Sequence, residues 1–396
     1  MLSNMLLSVK IKNFKSLKET SRIGLEKNTF LIGLNGSGKS SILQAIDFLS
    51  AISTGKVKEW LENRTWDKKD LTFFGNKKSI IEFETVFQLG GKTYFWAIAF
   101  NSQTLKCTSE LLFRKNDDNT KMPEILEVKN GSYSINKGKK EKINFKYSGS
   151  ILSALESRLF GEELTAIHSF FNDIHSAELL TPMLMKKKAR EAKNDIGIGG
   201  EKLSAFINAL DKEKKQKLHI SLQSFFPNIK SFETKSLRSG WKTLSLVEVS
   251  EGEDIVTDSM HLSDGVLRIM AILSQLLTTE SILIFDEIED GINQEFVEKL
   301  VDILVDSSHQ TIVATHSPLL LNYLDDEIAK KSILFVYKTR DGSTKIVNFF
   351  DAIAKHKDMS EHELDMFGPG EVMQSVDLLE LSELLVNGMA TNENSD

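Results

Sequence analysis

"GLNGSGKS", Gly33 to Ser40, follows the apolar run Thr29–Phe30–Leu31–Ile32 and leads into Ser41–Ile42–Leu43–Gln44–Ala45–Ile46. The spacing G-x-x-x-x-G-K-S is that of a phosphate-holding P-loop. Gly33, Gly36 and Gly38 permit the positive φ values and close backbone approach that an anion nest needs. The backbone around Asn35 and Ser37, and the helix start at Ser41, offer N–H donors to a phosphate. Lys39 reaches toward the β- and γ-phosphates as a point charge, and the Ser40 hydroxyl is a candidate Mg²⁺ ligand. Ile42, Leu43, Ile46 and Leu49 recur on one face and predict a helix. The bland alternative is a glycine-rich turn before an ordinary helix. A strand before the loop and a helix after it favour nucleotide binding.

The rest of the composition sets bounds. A chain of 396 residues can bury a sizeable core and has room for two to three domains. Lys+Arg 49 against Asp+Glu 56 gives a net charge of −7, which argues against a uniformly basic nucleic-acid coat but leaves room for a basic groove. With one cysteine, Cys107, there is no intrachain disulfide framework and no cysteine-cluster metal site, and a reduced cytoplasmic setting is expected. No apolar run approaches the roughly 18 residues of a membrane span.

Four segments are expected. Residues 1–150 combine the P-loop unit with antiparallel strands, including Ile80–Leu89, Thr93–Phe100 and a hairpin at Asn130–Gly131. Residues 151–227 read as a helical insertion, with lysine runs (Lys186–Lys188, Lys212–Lys217) that are ordinarily solvated faces. Residues 228–356 return to strands, and 357–396 hold an amphipathic helix at Val372–Val386 and a polar tail.

Three motifs accompany the P-loop. "ILIFDE" puts four apolar residues, Ile282 to Phe285, before Asp286 and Glu287, as in a parallel strand buried on both faces. Carboxylates at such a strand end sit where open α/β sheets bind ligands. Asp286 is the candidate Mg²⁺ holder and Glu287 the candidate general base. "TIVATHSP" repeats the design and puts His316 at a strand end, where it could meet the γ-phosphate or attacking water. "LSDG", Leu262 to Gly265, precedes an apolar helix. There, Ser263 or Asp264 caps the helix, or Ser263 and Gly265 form a second anion site.

The order GLNGSGKS, LSDG, ILIFDE, EDGI, ATHSP resembles the ATP-binding-cassette ATPases, with the nearest look to the soluble branch that holds RecF, the SMC proteins and the OLD-type ATPases. "VKIKNFKSLKE" before the P-loop resembles that branch's opening strand. The resemblance covers somewhat over half the chain. It implies an α/β fold: a P-loop ATPase with a mixed central sheet, an antiparallel β lobe and an inserted helical subdomain. It implies ATP and Mg²⁺, and a homodimer or higher homo-oligomer docked head to tail. In such a dimer Ser263 and Gly265 would touch the γ-phosphate held by Lys39 of the other subunit. Glu287 would be the catalytic carboxylate, His316 the switch histidine, and Glu289–Ile292 would lie on the seam. Asn13 and Lys15 would approach the base or ribose. The Mg²⁺-contacting glutamine of the first lobe stays open between Gln88 and Gln103.

There are departures from the pattern. The signature is LSDG rather than LSGGQ, and Asn293–Gln294 stand where the branch often has His–Pro. The insertion lacks the heptads of a long coiled coil. No strand–Glu and strand–Asp-x-Asp pattern marks a TOPRIM nuclease after Asp341–Gly342. The expectation is a stand-alone ATPase that regulates a partner effector, a nuclease by analogy, in bacterial antiphage defence. The rival is a RecF-like repair ATPase that clamps DNA, so DNA stays a candidate ligand. A transporter motor and a dead-site binding module are disfavoured by LSDG and by the presence of Lys39, Asp286, Glu287 and His316.

Overall fold

A computed structural model of the chain describes residues 4–115, 122–154, 157–192, 195–278, 282–356 and 367–393. The contacts divide the chain into two compact units, residues 1–174 with 310–396 and residues 175–309.

The first unit carries two sheets. β1 (Asn4–Phe14), β2 (Leu17–Glu19) and β3 (Ile23–Gly24) precede β4 (Asn28–Ile32), α1 (Lys39–Thr54) and α2 (Val57–Asn63). Then come β5 (Ile80–Leu89), β6 (Lys92–Asn101), β7 (Lys106–Arg114), β8 (Glu124–Lys129), β9 (Ser132–Ile135) and β10 (Glu141–Lys142), followed by α3 (Ser157–Asn172), which breaks at Gly161. The antiparallel sheet runs β10-β9-β8-β7-β6-β5-β1-β2, with β3 on β1. Its strands alternate as the sequence does: Phe83 and Phe87 of β5, and Trp96, Ile98 and Phe100 of β6, are buried. Phe48 of α1 is the hub against this sheet, its ring 5.5 Å from Phe14, 5.3 Å from Phe100 and 4.7 Å from Trp60. Farther along, Phe170 and Phe171 of α3 cover Phe87 and Trp96 at 5.3 and 4.7 Å. Buried Glu110 of β7 accepts from Ser150 Oγ (2.5 Å) and Ile151 N (2.8 Å), tying the strand to the segment that leaves the sheet. Its burial pushes the carboxyl up to about 7, against the pull of those two donors.

In the second sheet of this unit, β4 lies between the later strands β16 (Gln310–Ala314) and β17 (Ile333–Lys338), parallel to both, and β18 (Thr344–Asn348) closes the edge antiparallel to β17. Every residue of β4 is buried, as a central parallel strand requires.

The second unit begins with the rest of β11 (Ile174–Ala177), α4 (Pro182–Met185), α5 (Leu203–Ala209) and α6 (Lys212–Phe225). β12 (Ile229–Ser236), β13 (Lys242–Ser250) and β14 (Glu253–Asp258) form an antiparallel sheet in that order. α7 (Asp264–Gln275), β15 (Ile282–Asp286) and α8 (Gln294–Asp306) follow. α8 buries Val297, Leu300, Val301 and Leu304, a single helical face. α7 buries Leu267 and every residue from Ile269 to Gln275, and packs against α4, α5 and α6.

Back in the first unit, α9 (Pro318–Asn322) and α10 (Asp326–Ser332) connect β16 to β17, and α11 (Phe349–His356) follows β18. The sequence suggested one helix at Val372–Val386. The structure corrects this to two, α12 (Pro369–Ser375) and α13 (Leu378–Glu393). Val376 is extended, and Asp377 Oδ1 accepts from Leu379 N (2.8 Å) and Glu380 N (3.2 Å), so it starts a new helix instead of continuing the old one. The helical stretch expected at 151–227 is shared out: α3 packs on α1 and β5, whereas α4 to α6 pack within the second unit. Residues 357–366 and 394–396 of the expected C-terminal segment lie outside the described residues.

Candidate functional site

Each P-loop glycine is at positive φ: Gly33 at 147°, Gly36 at 74° and Gly38 at 110°. Two of them are also sterically locked. A Cβ on Gly33 would lie 2.2 Å from the Val336 carbonyl, and one on Gly38 would lie 2.1 Å from Thr344 Oγ1. The loop is thus pressed between its helix and the β17–β18 hairpin. Thr344 Oγ1 donates to the Ser37 carbonyl at 2.8 Å and shares a second hydrogen bond with Ser16 Oγ at 2.8 Å. Sequence reading did not find this clamp, because Ser16 in the β1–β2 turn and Thr344 in β18 are 328 residues apart along the chain.

α1 starts directly after Gly38, with no side-chain cap and no acidic residue in its first turn. The N-terminal N–H groups and positive dipole end of such a helix are of the kind that binds an anion. Lys39 is buried and its Nζ donates to the carbonyls of Gly33 (2.9 Å) and Leu34 (3.3 Å), which curls it over the loop it would share with a phosphate. Leu34, Asn35 and Gly36 at the loop tip are exposed, Ser37 and Ser41 are buried, and Ser40 is half-buried. The Ser37 hydroxyl is buried without a hydrogen-bond partner.

Beside the start of α1 lies a cavity of about 910 Å³, lined by Ser16, Ser41, Trp66 and Phe74 among others, with five lysines (15, 69, 77, 78 and 338) against Asp70 and Asp341. Phe74 is 96 % exposed there. Lys15 Nζ donates to Gln44 Oε1 (2.6 Å), stands 3.6 Å over the Trp66 ring and borders this cavity. Asn13 is used otherwise. It is buried, its Nδ2 donates to the carbonyls of Lys78 and Ile80, and its Oδ1 accepts from Phe73 N and Asn76 Nδ2. Both halves of its amide are saturated, which makes it the staple of the 72–80 loop and leaves no group for a base. Gln103 lines the same cavity, whereas Gln88 sits within β5 opposite Thr93.

β16 is in parallel register with β4, Ala314 opposite Leu31 and Thr315 N bonded to the Leu31 carbonyl at 3.1 Å. His316 therefore leaves the sheet at the same C-terminal edge as the P-loop, one strand over, and is half-buried. Ser317 caps the short α9 behind it.

The second unit gathers the other motif residues. β15 ends at half-buried Asp286, and Glu287 is exposed with φ of 50°, a left-handed conformation uncommon for glutamate and of the kind found at functional turns. The N–H of Asp290 closes that turn onto the Glu287 carbonyl at 3.0 Å. Ser263 is the α7 N-cap, its Oγ accepting from Val266 N at 3.4 Å. A Cβ on Gly265 would lie 2.9 Å from the Gly291 carbonyl, so the LSDG turn and the EDGI segment touch. The structure thus groups the P-loop with Lys15 and His316 in one unit, and Ser263, Gly265, Asp286, Glu287 and Glu289–Ile292 in the other.

Among the described residues no cluster of three or more His, Cys, Asp or Glu could hold a metal by itself. Mg²⁺ in nucleotide sites binds through one or two protein oxygens and the phosphates of the nucleotide. Ser40 at the start of α1 and Asp286 at the end of β15 each carry an oxygen of the kind that binds Mg²⁺. No described helix is long and apolar enough to cross a membrane.

The chain is similar in fold to solved SMC head domains. An SMC head bound to the C-terminal winged-helix domain of ScpA matches 88 % of this chain and 99 % of its own at 18 % identity, with a TM-score of 0.54. The SMC head domain from Thermotoga maritima covers 87 % of this chain and 98 % of its own at 16 % identity, with a TM-score of 0.45. Structural maintenance of chromosomes protein 1 of Arabidopsis thaliana is 40 % identical over 57 residues, 14 % of this chain; the match spans 5 % of that protein's length. The fold is that of an SMC-head-like ABC-type P-loop ATPase. Residues 29–322 match the family described as "AAA domain, putative AbiEii toxin, Type IV TA system", and the chain belongs to that family.

Proposed function

We propose that the chain binds ATP with Mg²⁺, docks head to tail with a second copy around the nucleotides, and hydrolyses ATP to reset. The observation that carries this reading is the locked P-loop, with two glycines that admit no Cβ and a helix that starts uncapped behind them. Lys39 and the loop N–H groups hold the phosphates, Ser40 and Asp286 the ion. Glu287 accepts the proton of the attacking water, and His316 senses the γ-phosphate. Ser263 and Gly265 close the site of the other subunit. The γ-phosphate is the differential ligand: two surfaces share it in ATP and lose it in ADP.

The output we assign is control of a partner effector, a nuclease by analogy, in a bacterial cytoplasmic defence system. The family's description, which names a toxin, supports an effector-linked role. The SMC head solved with a ScpA domain is an instance of this fold holding a partner protein. A second reading, a DNA clamp, is favoured by the lysine-rich cavity with exposed Phe74, since cations and an open aromatic face suit a strand of nucleic acid.

Glu287→Gln tests the main reading. It should keep ATP binding, slow turnover by roughly 10²- to 10⁴-fold, and accumulate an ATP-dependent dimer in light scattering. Unchanged turnover would remove Glu287 from the role of base.

A further inference from the structure

The LSDG turn contains a charge that opposes its proposed task. Asp264 stands between Ser263 and Gly265 as the first residue of α7, its side chain 57 % exposed. A carboxylate there suits the helix dipole. It also repels a polyphosphate approaching the same N-terminus. Lys186 answers it from 78 residues away, just past the end of α4, where its Nζ donates to Asp264 Oδ1 at 2.9 Å. The lysine is held in place: its N–H bonds to the Pro182 carbonyl at 3.0 Å, its carbonyl accepts from Ser259 Oγ at 3.1 Å, and its side chain is 25 % exposed. Lys187 and Lys188, its neighbours in the lysine run, are exposed. On the other side of the same turn Arg268, mostly buried, stands 3.9 Å from Asp290 of the EDGI segment.

We infer that Lys186 is a positioning residue for the ATPase reaction: it neutralises Asp264, so that the signature turn accepts the γ-phosphate carried by a second copy of the chain. This rests on the composite-site reading above. Lys186 acts on docking, not on nucleotide capture by the single subunit. It therefore affects ATP-driven association and KM rather than the ATP affinity of the monomer.

The test uses the full chain in the Glu287→Gln background, measuring ATP-dependent association by light scattering and monomer affinity with a fluorescent ATP analogue. Lys186→Met should weaken association about tenfold while monomer affinity stays the same, and Lys186→Arg should restore it. With Asp264→Asn already present, Lys186→Met should change association less than twofold, because the charge it offsets is gone. An equal loss in both backgrounds, or no loss in either, overturns the inference. Ser263→Arg on the otherwise wild-type chain separates the two layers. If it hydrolyses ATP normally, the composite site itself is wrong and this inference goes with it. If it blocks hydrolysis while Lys186→Met leaves association intact, the role of Lys186 alone is refuted.

Discussion

Lys39 illustrates how much one residue of this site depends on its surroundings. Its ammonium is buried against two backbone carbonyls, which hold it near the loop. A phosphate would replace neutral acceptors by charged ones, a stronger hydrogen bond. Lys39→Ala should therefore lower ATP affinity by about 100-fold or more in calorimetry, whereas a change under threefold would show that the loop holds the nucleotide without it. Gly38→Ala tests the lock from the other side. Its Cβ would collide with Thr344 Oγ1 at a φ of 110°, so the variant should lose roughly 1–3 kcal/mol of stability and bind ATP poorly. A melting temperature equal to that of the wild type would mean that the β17–β18 hairpin does not press on the loop. P-loop residues were legible in the sequence because their chemistry is local. The saturated amide of Asn13 was not, since its partners at 73–80 are brought to it by the antiparallel sheet.

At the scale of elements, period and punctuation carried most of the information. The β5–β6 and β8–β9 hairpins lie where Gly90–Gly91 and Asn130–Gly131 put them. The apolar runs at Phe30–Ile32 and Ile282–Phe285 are buried strands. The C-terminal helix was misread because apolar spacing continues across Val376–Asp377, and a cap inside an apolar pattern is a weak signal. Asp377→Ala should cost about 1 kcal/mol in urea unfolding through loss of the α13 cap. No measurable loss would indicate that α12 and α13 run on as one helix when the aspartate is absent. Asp47 of α1 is a stronger case. It is buried, accepting from Trp60 Nε1 (2.5 Å) and Arg64 (2.7 Å), which fastens α2 to α1. Neither contact is implied by periodicity.

For the whole molecule, stability should carry the signature of Glu110. Its carboxyl is pushed from 4.5 to about 7 by burial in the folded chain. Between those values the folded chain keeps a proton that the unfolded chain has released, so this group's contribution falls as pH rises through the window and levels off above it. Relative to Glu110→Gln, the wild type should lose on the order of 3 kcal/mol between pH 4.5 and 8 in denaturant titrations. A pH-independent difference would place the ionised carboxylate comfortably in that pocket. The fold class and the order of motifs could be read along the chain, but the division into units could not. A unit formed by residues 1–174 and 310–396 depends on β16, β17 and β18 returning to β4, which is a long-range choice of strand partners.

The central claim is that each ATP is completed by residues of two subunits, and mixing two inactive variants tests it. Lys39→Ala retains an intact LSDG turn, and Ser263→Arg retains an intact P-loop. In a head-to-tail heterodimer one of the two sites is then wild type throughout, so the mixture should recover up to about a quarter of wild-type ATPase activity although neither variant is active alone. A mixture as inactive as its components, with mixed dimers demonstrated to form, would contradict the account.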